Sequence, residues 1–351
     1  MLGSSGKHMS EARETAVASS SPGALNGTPT RALAGSLTGT WAHGWRALDL
    51  EGRPVLVATD GSDSCAGAAR IAAALAERHH AVVHAVTVVD ARAVSIPPTL
   101  DIGMPIADPL WGRSLHEDRA NDVRASLETA VGVPLDWPIE VMLDTPAMGI
   151  AKEAHRLGAA LIIAGLRRHG RLERAVTDET MLSLMRHAPC PVLAVLPGAT
   201  SLPRRVLVAV DFSETSLVAA RIAAAVAADG ASVVMAYVPP LVAYPPDDGE
   251  RVIHDLGVEA AFAQTSQELA SDGIRFDYVT LHRQRPRSCP ELLLEYADGA
   301  TADLIAAGSA RHGRVERWIL GSVSTELVRD GRRSILVVPP RDAGPAVARA
   351  R

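Results

Sequence analysis

The sequence predicts an α/β protein built from two tandem, doubly wound domains, each with a five-stranded parallel sheet. Two observations carry this prediction: short apolar runs alternate with longer helical patterns, and the whole succession occurs twice. The composition agrees, because 47% of the residues are apolar and only 3% are aromatic, which suits aliphatic helices packed on a parallel sheet. The length of 351 residues allows two domains that each bury a core.

The duplication is visible at both ends of the two copies. Agreement at both ends, in the same order, indicates a tandem repeat rather than one shared motif. The matching pairs are RPVLVATD (53–60) with RVLVAVD (205–211), LIIAGLRRHGRLER (161–174) with LIAAGSARHGRVER (304–317), and CPVLAVLP (190–197) with RSILVVPP (333–340).

Each copy predicts five strands and four helices. Apolar runs of about four to eight residues between turn residues predict buried strands, and longer runs with helical periodicity predict helices. In the first copy we expect strands near 54–59, 81–88, 138–143, 160–164 and 191–196, and helices near 62–77, 113–130, 146–157 and 179–188. In the second copy we expect strands near 205–210, 232–238, 275–281, 303–307 and 334–338, and helices near 214–228, 250–272, 290–298 and 322–330. Ser62 and Ser64 are candidate caps of the first helix.

The flanking segments and the global composition limit the class of protein. Residues 1–48 are rich in Ser, Gly, Thr and Ala without sustained periodicity, which predicts a disordered tail, and 342–351 form a second tail. The net charge of −5 argues against nucleic-acid binding, and no apolar run of about 18 residues predicts a membrane span. The three cysteines are scattered, which fits a reducing compartment and a cytoplasmic protein. The domains are expected at 49–198 and 203–341.

A candidate phosphate site follows the fourth strand of the second copy. Gly308 lies at the strand exit, where the missing Cβ lets the backbone approach a ligand. Gly321-Ser322 begin the next helix, where free N–H groups and the helix dipole favour an anion. In doubly wound sheets ligands bind beyond the carboxyl ends of the strands, and Asp60 and Asp211 also lie at such ends.

These motifs resemble the universal stress protein family. The residues that carry the resemblance are DGSDS at 60–64, the glycine and Gly-Ser-Val-Ser pattern of 308–324, and HAPCPVLAV at 187–195. The resemblance covers about residues 50–340. It implies two domains of the adenine nucleotide alpha hydrolase type, and it implies ATP as the ligand, with or without Mg²⁺. Relatives commonly pair through their last strands, so the strands near 191–196 and 334–338 are expected to pair within this chain as a pseudo-dimer, with a homodimer as the other arrangement.

The resemblance also assigns site residues in the second copy. The family's ATP signature is G-x2-G-x9-G-[ST], with an aspartate after the first strand and a contact from the second strand. Arg311 stands where the middle glycine is expected and Gly313 is the nearest glycine, so Arg311 either gives the phosphates a cation or obstructs the loop. The predicted nucleotide-binding residues are Asp211, Tyr237, Gly308, Ser309, Arg311, Gly313, Gly321, Ser322, Val323 and Ser324.

The first copy departs from the signature. Gly165 and Gly170 are present, but Asp178-Glu179 stand where the Gly-Ser pair is expected. Two carboxylates at a helix start would repel phosphate and occupy the N–H groups themselves. We therefore expect the first copy to bind ATP weakly or not at all.

The predicted function is a nucleotide-binding stress-response regulator or protective factor, with protein partners that the sequence does not identify. It is not predicted to be a metabolic enzyme, with slow ATP hydrolysis or autophosphorylation as the remaining catalytic alternative. TDGSDS (59–64) also resembles the phosphate loop of ATP pyrophosphatases, but the second copy has VDFSETS there without the paired glycines. The other function considered is a structural or interaction module of the same fold that binds no nucleotide.

Overall fold

The computed structural model describes residues 50–90, 109–166, 174–240, 248–271, 275–282, 287–309 and 320–340. The side chains of 109–115, 174–178, 248–254, 268, 270 and 271 are outside this description. Both predicted tails, together with Gly170, Arg311 and Gly313, also lie outside the described residues. No helix within these ranges has the length and apolar character to cross a membrane.

The described elements follow the predicted order. The strands are β1 (Pro54–Ala58), β2 (Val82–Asp90), β3 (Ile139–Asp144), β4 (Leu161–Gly165), β5 (Val192–Val195), β6 (Arg205–Val210), β7 (Ser232–Tyr237), β8 (Asp277–Thr280), β9 (Leu304–Gly308) and β10 (Ser334–Val338). The helices are α1 (Ala66–His79), α2 (Pro109–Val131), α3 (Pro146–Leu157), α4 (Arg174–His187), α5 (Glu214–Val226), α6 (Asp248–Ser271), α7 (Cys289–Gly299) and α8 (Ser322–Asp330). A 3₁₀ turn, Asp63–Cys65, leads into α1.

All ten strands form one sheet, in the order β3-β2-β1-β4-β5-β10-β9-β6-β7-β8. Pairing is parallel within each half and antiparallel between β5 and β10, where Leu193 lies opposite Leu336. This confirms the expected intramolecular pseudo-dimer. The pairing is favourable because it covers two strand edges that would otherwise expose unpaired backbone groups.

Both faces of the sheet are buried, and each face has an apolar core that continues from one half into the other. The central strands β1, β4, β5, β9 and β10 are buried along nearly their whole length, which explains why they read as continuous apolar runs. Across the junction Arg78 forms an ion pair with Asp229 at 2.6 Å, and the His79 ring lies 2.9 Å from the Ala225 carbonyl oxygen. The two domains therefore share a continuous apolar core on each face of the sheet.

Candidate functional site

The loop after β6 is ordered by short-range hydrogen bonds. The backbone N–H of Ser213 donates to the Asp211 carboxylate (3.0 Å), and Ser213 caps α5 by accepting from the Ser216 N–H (3.3 Å). The Asp211 N–H in turn donates to the Ser216 hydroxyl (3.4 Å). These bonds fix the backbone while the Asp211 side chain stays at the surface. Asp211 thus lies at the carboxyl end of β6, where a ligand of this fold class would be.

An aromatic group, formed by Phe212, Tyr237, Phe262 and Tyr278, includes one residue of that loop. Phe212 contacts Tyr237 (ring centroids 5.2 Å apart) and meets the fully buried Phe262 edge-on at 4.9 Å. Tyr278 also stacks on Phe262, with ring centroids 4.4 Å apart. Burial raises the pKa of the Tyr237 phenol, and the negative charge of Asp211 adds to the effect. The structure thus brings together two of the predicted residues, Asp211 and Tyr237.

Phe212 has a left-handed backbone conformation, with φ of 59°. This conformation costs a residue with a Cβ about 1–2 kcal/mol. The corresponding residue of the first copy is Gly61, which adopts φ of 74° without that cost. The ring contacts of Phe212 with Phe262 and Tyr237 offset the strain. The sequence analysis did not identify Phe212. Its alignment with Gly61 in the repeat could have indicated a left-handed backbone conformation at this position.

Close packing of the end of β9 on the start of α5 explains why residue 308 is a glycine. A Cβ at this position would lie 2.7 Å from the Thr215 carbonyl carbon and 2.8 Å from the Ser216 nitrogen. Gly165 in the first copy is equally close to the backbone of Ser64 and Cys65. The strand exit is therefore in contact with the start of the helix after the first strand. Contact with the helix start is therefore enough to require glycine at this position, and the interpretation that Gly308 also admits a ligand stays a prediction.

We expect Gly308→Ala to destabilise the protein by about 1–3 kcal/mol, because the obstructing atoms are backbone atoms that cannot rotate away. Chemical denaturation of the full chain measures the loss. Gly198→Ala is the matched control, since a Cβ there meets nothing within 4 Å. Its free energy of unfolding should change by less than about 0.5 kcal/mol. Equal stability of the two variants would contradict the packing explanation.

The remaining predicted residues lie at the end of β9 and the start of α8. The Ser309 N–H donates to the Val338 carbonyl (2.8 Å), and its fully buried hydroxyl has no hydrogen-bond partner among the described residues. Gly321 is the N-cap of α8, and no side chain of the described residues caps the helix. Ser324 is buried in the first turn, Val323 packs on the core, and Ser322 is exposed. The helix contacts both β9 and β10.

This arrangement can bind an anion. An uncapped helix start presents N–H donors and the positive end of a dipole beyond a parallel strand, as phosphate sites do. A match to the universal stress protein family extends over residues 52–195 and again over 203–339. The chain belongs to the universal stress protein family.

Individual universal stress proteins are similar to one half of this chain. A Thermus aquaticus member is 34% identical over 147 residues, which is 41% of this chain and 98% of that protein. A Staphylococcus aureus relative is 31% identical over 144 residues, covering 40% of this chain and 82% of its own. The crystal structure of an Archaeoglobus fulgidus universal stress protein aligns with 83% of this chain and 99% of its own, with a TM-score of 0.57 and 18% identity. That likeness shows that the fold is shared.

The first universal stress protein domain satisfies the polar groups of its own loop after β1. One Asp60 carboxylate oxygen accepts from the Ser62 N–H (3.0 Å), the Ser62 hydroxyl (2.5 Å) and the Cys65 thiol (3.4 Å). Ser62 is the N-cap of the 3₁₀ turn, yet its hydroxyl bonds Asp60 instead of capping, and helix α1 itself has Cys65 as its N-cap. From α2, Arg119 donates to the Asp60 carbonyl (2.7 Å) and Ser126 to the Gly61 carbonyl (2.8 Å). Helix α2 thereby fixes the backbone of this loop by hydrogen bonds.

Asp178-Glu179 are not at a helix start. Helix α4 begins at Arg174, so these residues lie in its second turn, and the argument that they would occupy the first N–H groups was wrong. Glu179 is exposed and lies 4.0 Å from Arg329 of α8, across the junction. The equivalent place in the second domain is the start of α8. The two domains therefore differ in where this helix begins, as well as in its residues.

Proposed function

We propose that this universal stress protein binds ATP in its second domain and acts as a stress-response regulator or protective factor rather than as a metabolic enzyme. The observation that carries the proposal is the start of α8 at Gly321, which no described side chain caps, on a helix that contacts β9, together with the buried Ser309 hydroxyl after β9, which has no partner among the described residues. A buried hydroxyl without a partner costs about 1–3 kcal/mol, which a ligand that accepts its hydrogen bond would offset.

In this proposal the nucleotide lies along the carboxyl ends of β6, β7 and β9. The backbone N–H groups of Ser322 and Val323 would bind phosphate oxygens, and the Ser309 hydroxyl would donate a further hydrogen bond. Asp211 and Tyr237 lie at the ends of the adjacent strands β6 and β7 and would contact the nucleoside part. The Asp211 carboxylate is accessible and held by a single described backbone hydrogen bond, so it can accept from a ribose hydroxyl.

The first domain is proposed not to bind ATP. The support now comes from its loop after β1, because Arg119 and Ser126 of α2 already bond the loop carbonyls and Asp60 is engaged by Ser62 and Cys65. A ligand would have to displace these internal hydrogen bonds. One nucleotide per chain is the expected stoichiometry.

A second candidate function is a structural or interaction module without a nucleotide. The observation that favours it is the packing explanation of Gly308, since the signature's first glycine is needed for the fold whether or not a ligand binds. The same glycine requirement in the first domain, at Gly165, agrees with that view.

Calorimetry of the full chain with ATP, with and without Mg²⁺, separates these functions. We expect one ATP per chain and, at about 100 times Kd, a stabilisation of roughly 2.7 kcal/mol, seen as a higher melting temperature. If no adenine nucleotide co-purifies and millimolar ATP leaves the melting temperature unchanged, the module without a ligand is correct. Two ATP molecules per chain would overturn the proposed difference between the domains.

A further inference from the structure

A cavity of about 690 Å³ lies at the junction of the two domains. It is bounded by the chain that leaves β5, the starts of β6 and β10, and the turn before β9. Because β5 runs antiparallel to β10, the carboxyl end of β5 meets the amino ends of the second domain's strands here. The proposed ATP site is at the opposite, carboxyl ends of β6 and β9. The cavity is thus a separate place in the fold.

Three arginines line this cavity: Arg205, Arg332 and Arg333. Arg333 is buried, donates to the Ala302 carbonyl (3.1 Å) and pairs with Asp298. Its hydrogen bond is the main reason that the pKa of Asp298 is lowered. Arg332 bonds Asp298 (3.0 Å) and Asp330 (2.8 Å). These contacts fix both guanidinium groups in place before any ligand arrives.

Two residues that line the cavity, Arg333 and Ser334, each hold a buried donor group that is not fully used within the described residues. One terminal nitrogen of Arg333 is buried without a hydrogen bond, and its nearest carboxylate oxygen, on Asp330, is 3.7 Å away. Ser334 is also buried, and its hydroxyl accepts from the Leu196 N–H (3.2 Å) without donating to any described group. Both groups are shielded from solvent, so a ligand in the cavity would contact the exposed side chains of Arg205 and Arg332.

Arg205 stands at the edge of the cavity. Its Nε donates to the Thr301 carbonyl (2.6 Å), which directs the exposed side chain along the start of β6. The neighbouring Asp303 carboxylate accepts the backbone N–H groups of Arg204 and Arg205 (3.1 and 3.0 Å). Asp303 is therefore engaged with the strand start, and the terminal nitrogens of Arg205 make no hydrogen bond or ion pair in the described part of the chain.

The first domain lacks this polar set at the equivalent positions of the repeat. Arg332, Arg333 and Ser334 correspond to Pro189, Cys190 and Pro191, and Ala302-Asp303 correspond to Ala159-Ala160. The register agrees, because β10 pairs with β9 as β5 pairs with β4. Because the first domain forms the same strand pairing with Pro189, Cys190 and Pro191 at these positions, the fold itself does not require Arg332 and Arg333.

We propose that this cavity binds a small phosphate monoester, independently of the ATP site. Arginine guanidinium groups match phosphate oxygens in geometry and charge, and a cavity of this size accepts a ligand as large as a sugar phosphate. Leu196, Pro197 and Ala302 supply apolar surface for the organic part. Asp63 and Asp303 also line the cavity and disfavour a highly charged ligand such as a triphosphate.

Calorimetric titration of the full chain with ribose 5-phosphate tests the site, with ribose and inorganic phosphate as separate arms. Arg205→Gln should weaken ribose 5-phosphate binding at least about tenfold, because a charge-assisted hydrogen bond is lost. Arg205→Lys should recover part of the affinity. The matched control is Arg204→Gln, which removes an exposed cation outside the cavity and should change Kd less than twofold.

Three results would overturn the proposal: no binding by the wild-type chain at millimolar ligand, equal affinity of the Arg205→Gln and Arg204→Gln variants, or binding by ribose alone. A Gly321→Asp chain should keep its affinity for ribose 5-phosphate. Loss of binding in that chain would place the ligand at α8 instead. Melting curves of each variant identify any that fails to fold. If Arg205→Gln does not fold, the affinity of the Arg205→Lys variant for ribose 5-phosphate is compared with that of Arg204→Gln instead.

Discussion

Gly321→Asp is expected to lower the affinity for ATP by roughly 100-fold while the second domain stays folded. Gly321 has φ of −61° and ψ of 157°, which any residue adopts, and a Cβ there meets nothing within 4 Å. Aspartate is a preferred N-cap, so it should stabilise α8 by a few tenths of a kcal/mol. Its carboxylate would occupy the N–H groups and repel phosphate.

The size of this loss follows from the charge. Two unit charges about 4 Å apart near a protein surface interact by up to about 4 kcal/mol, and screening by salt reduces this to about 3 kcal/mol, which corresponds to roughly 100-fold in Kd. Calorimetry with ATP and thermal denaturation measure the two effects in one sample. Gly321→Asn is the matched control, because it caps the same helix without a charge and should lose less than about tenfold in affinity. Unchanged ATP affinity of the aspartate variant would show that α8 does not bind the phosphates.

Phe262→Ala is expected to destabilise the protein by about 3–5 kcal/mol. Phe262 is fully buried and contacts both Phe212 and Tyr278, so its removal leaves a cavity and two broken ring pairs. The strained backbone of Phe212 also loses the contact that offsets its strain. Because Phe212 follows Asp211 directly, ATP affinity should fall as well.

Urea denaturation of the full chain measures the first effect, and calorimetry measures the second. Phe262→Leu is the control, since it retains most of the buried volume and should cost under about 1.5 kcal/mol. A loss below 1 kcal/mol for the alanine variant would mean that the aromatic group does not hold the loop. Normal ATP affinity in a clearly destabilised variant would show that the aromatic group does not contribute to ATP binding.

Local sequence patterns predicted most of the fold because they report burial directly. Runs such as LIIAG and LIAAG are apolar at every position, as strands buried on both faces must be, and the repeat placed equivalent elements in the same order. The short connection between the copies also favoured the pairing of β5 with β10, which the structure contains. The start of α4 was placed wrongly, because the alignment with the second copy assumed that both helices begin at the same point of the repeat.

The sequence by itself determined the duplicated α/β architecture, the family, and the helix start at Gly321, since each depends on residues close together in the chain. Only the tertiary structure decided why Gly308 must be a glycine, how Phe212 is held, and that three arginines meet at the domain junction. These features depend on distances between residues far apart in sequence. Gly308 meets Thr215 because β9 pairs with β6, which leads into α5, and Arg205 lines one cavity with the end of β5 because β5 pairs with β10. No local pattern encodes these pairings.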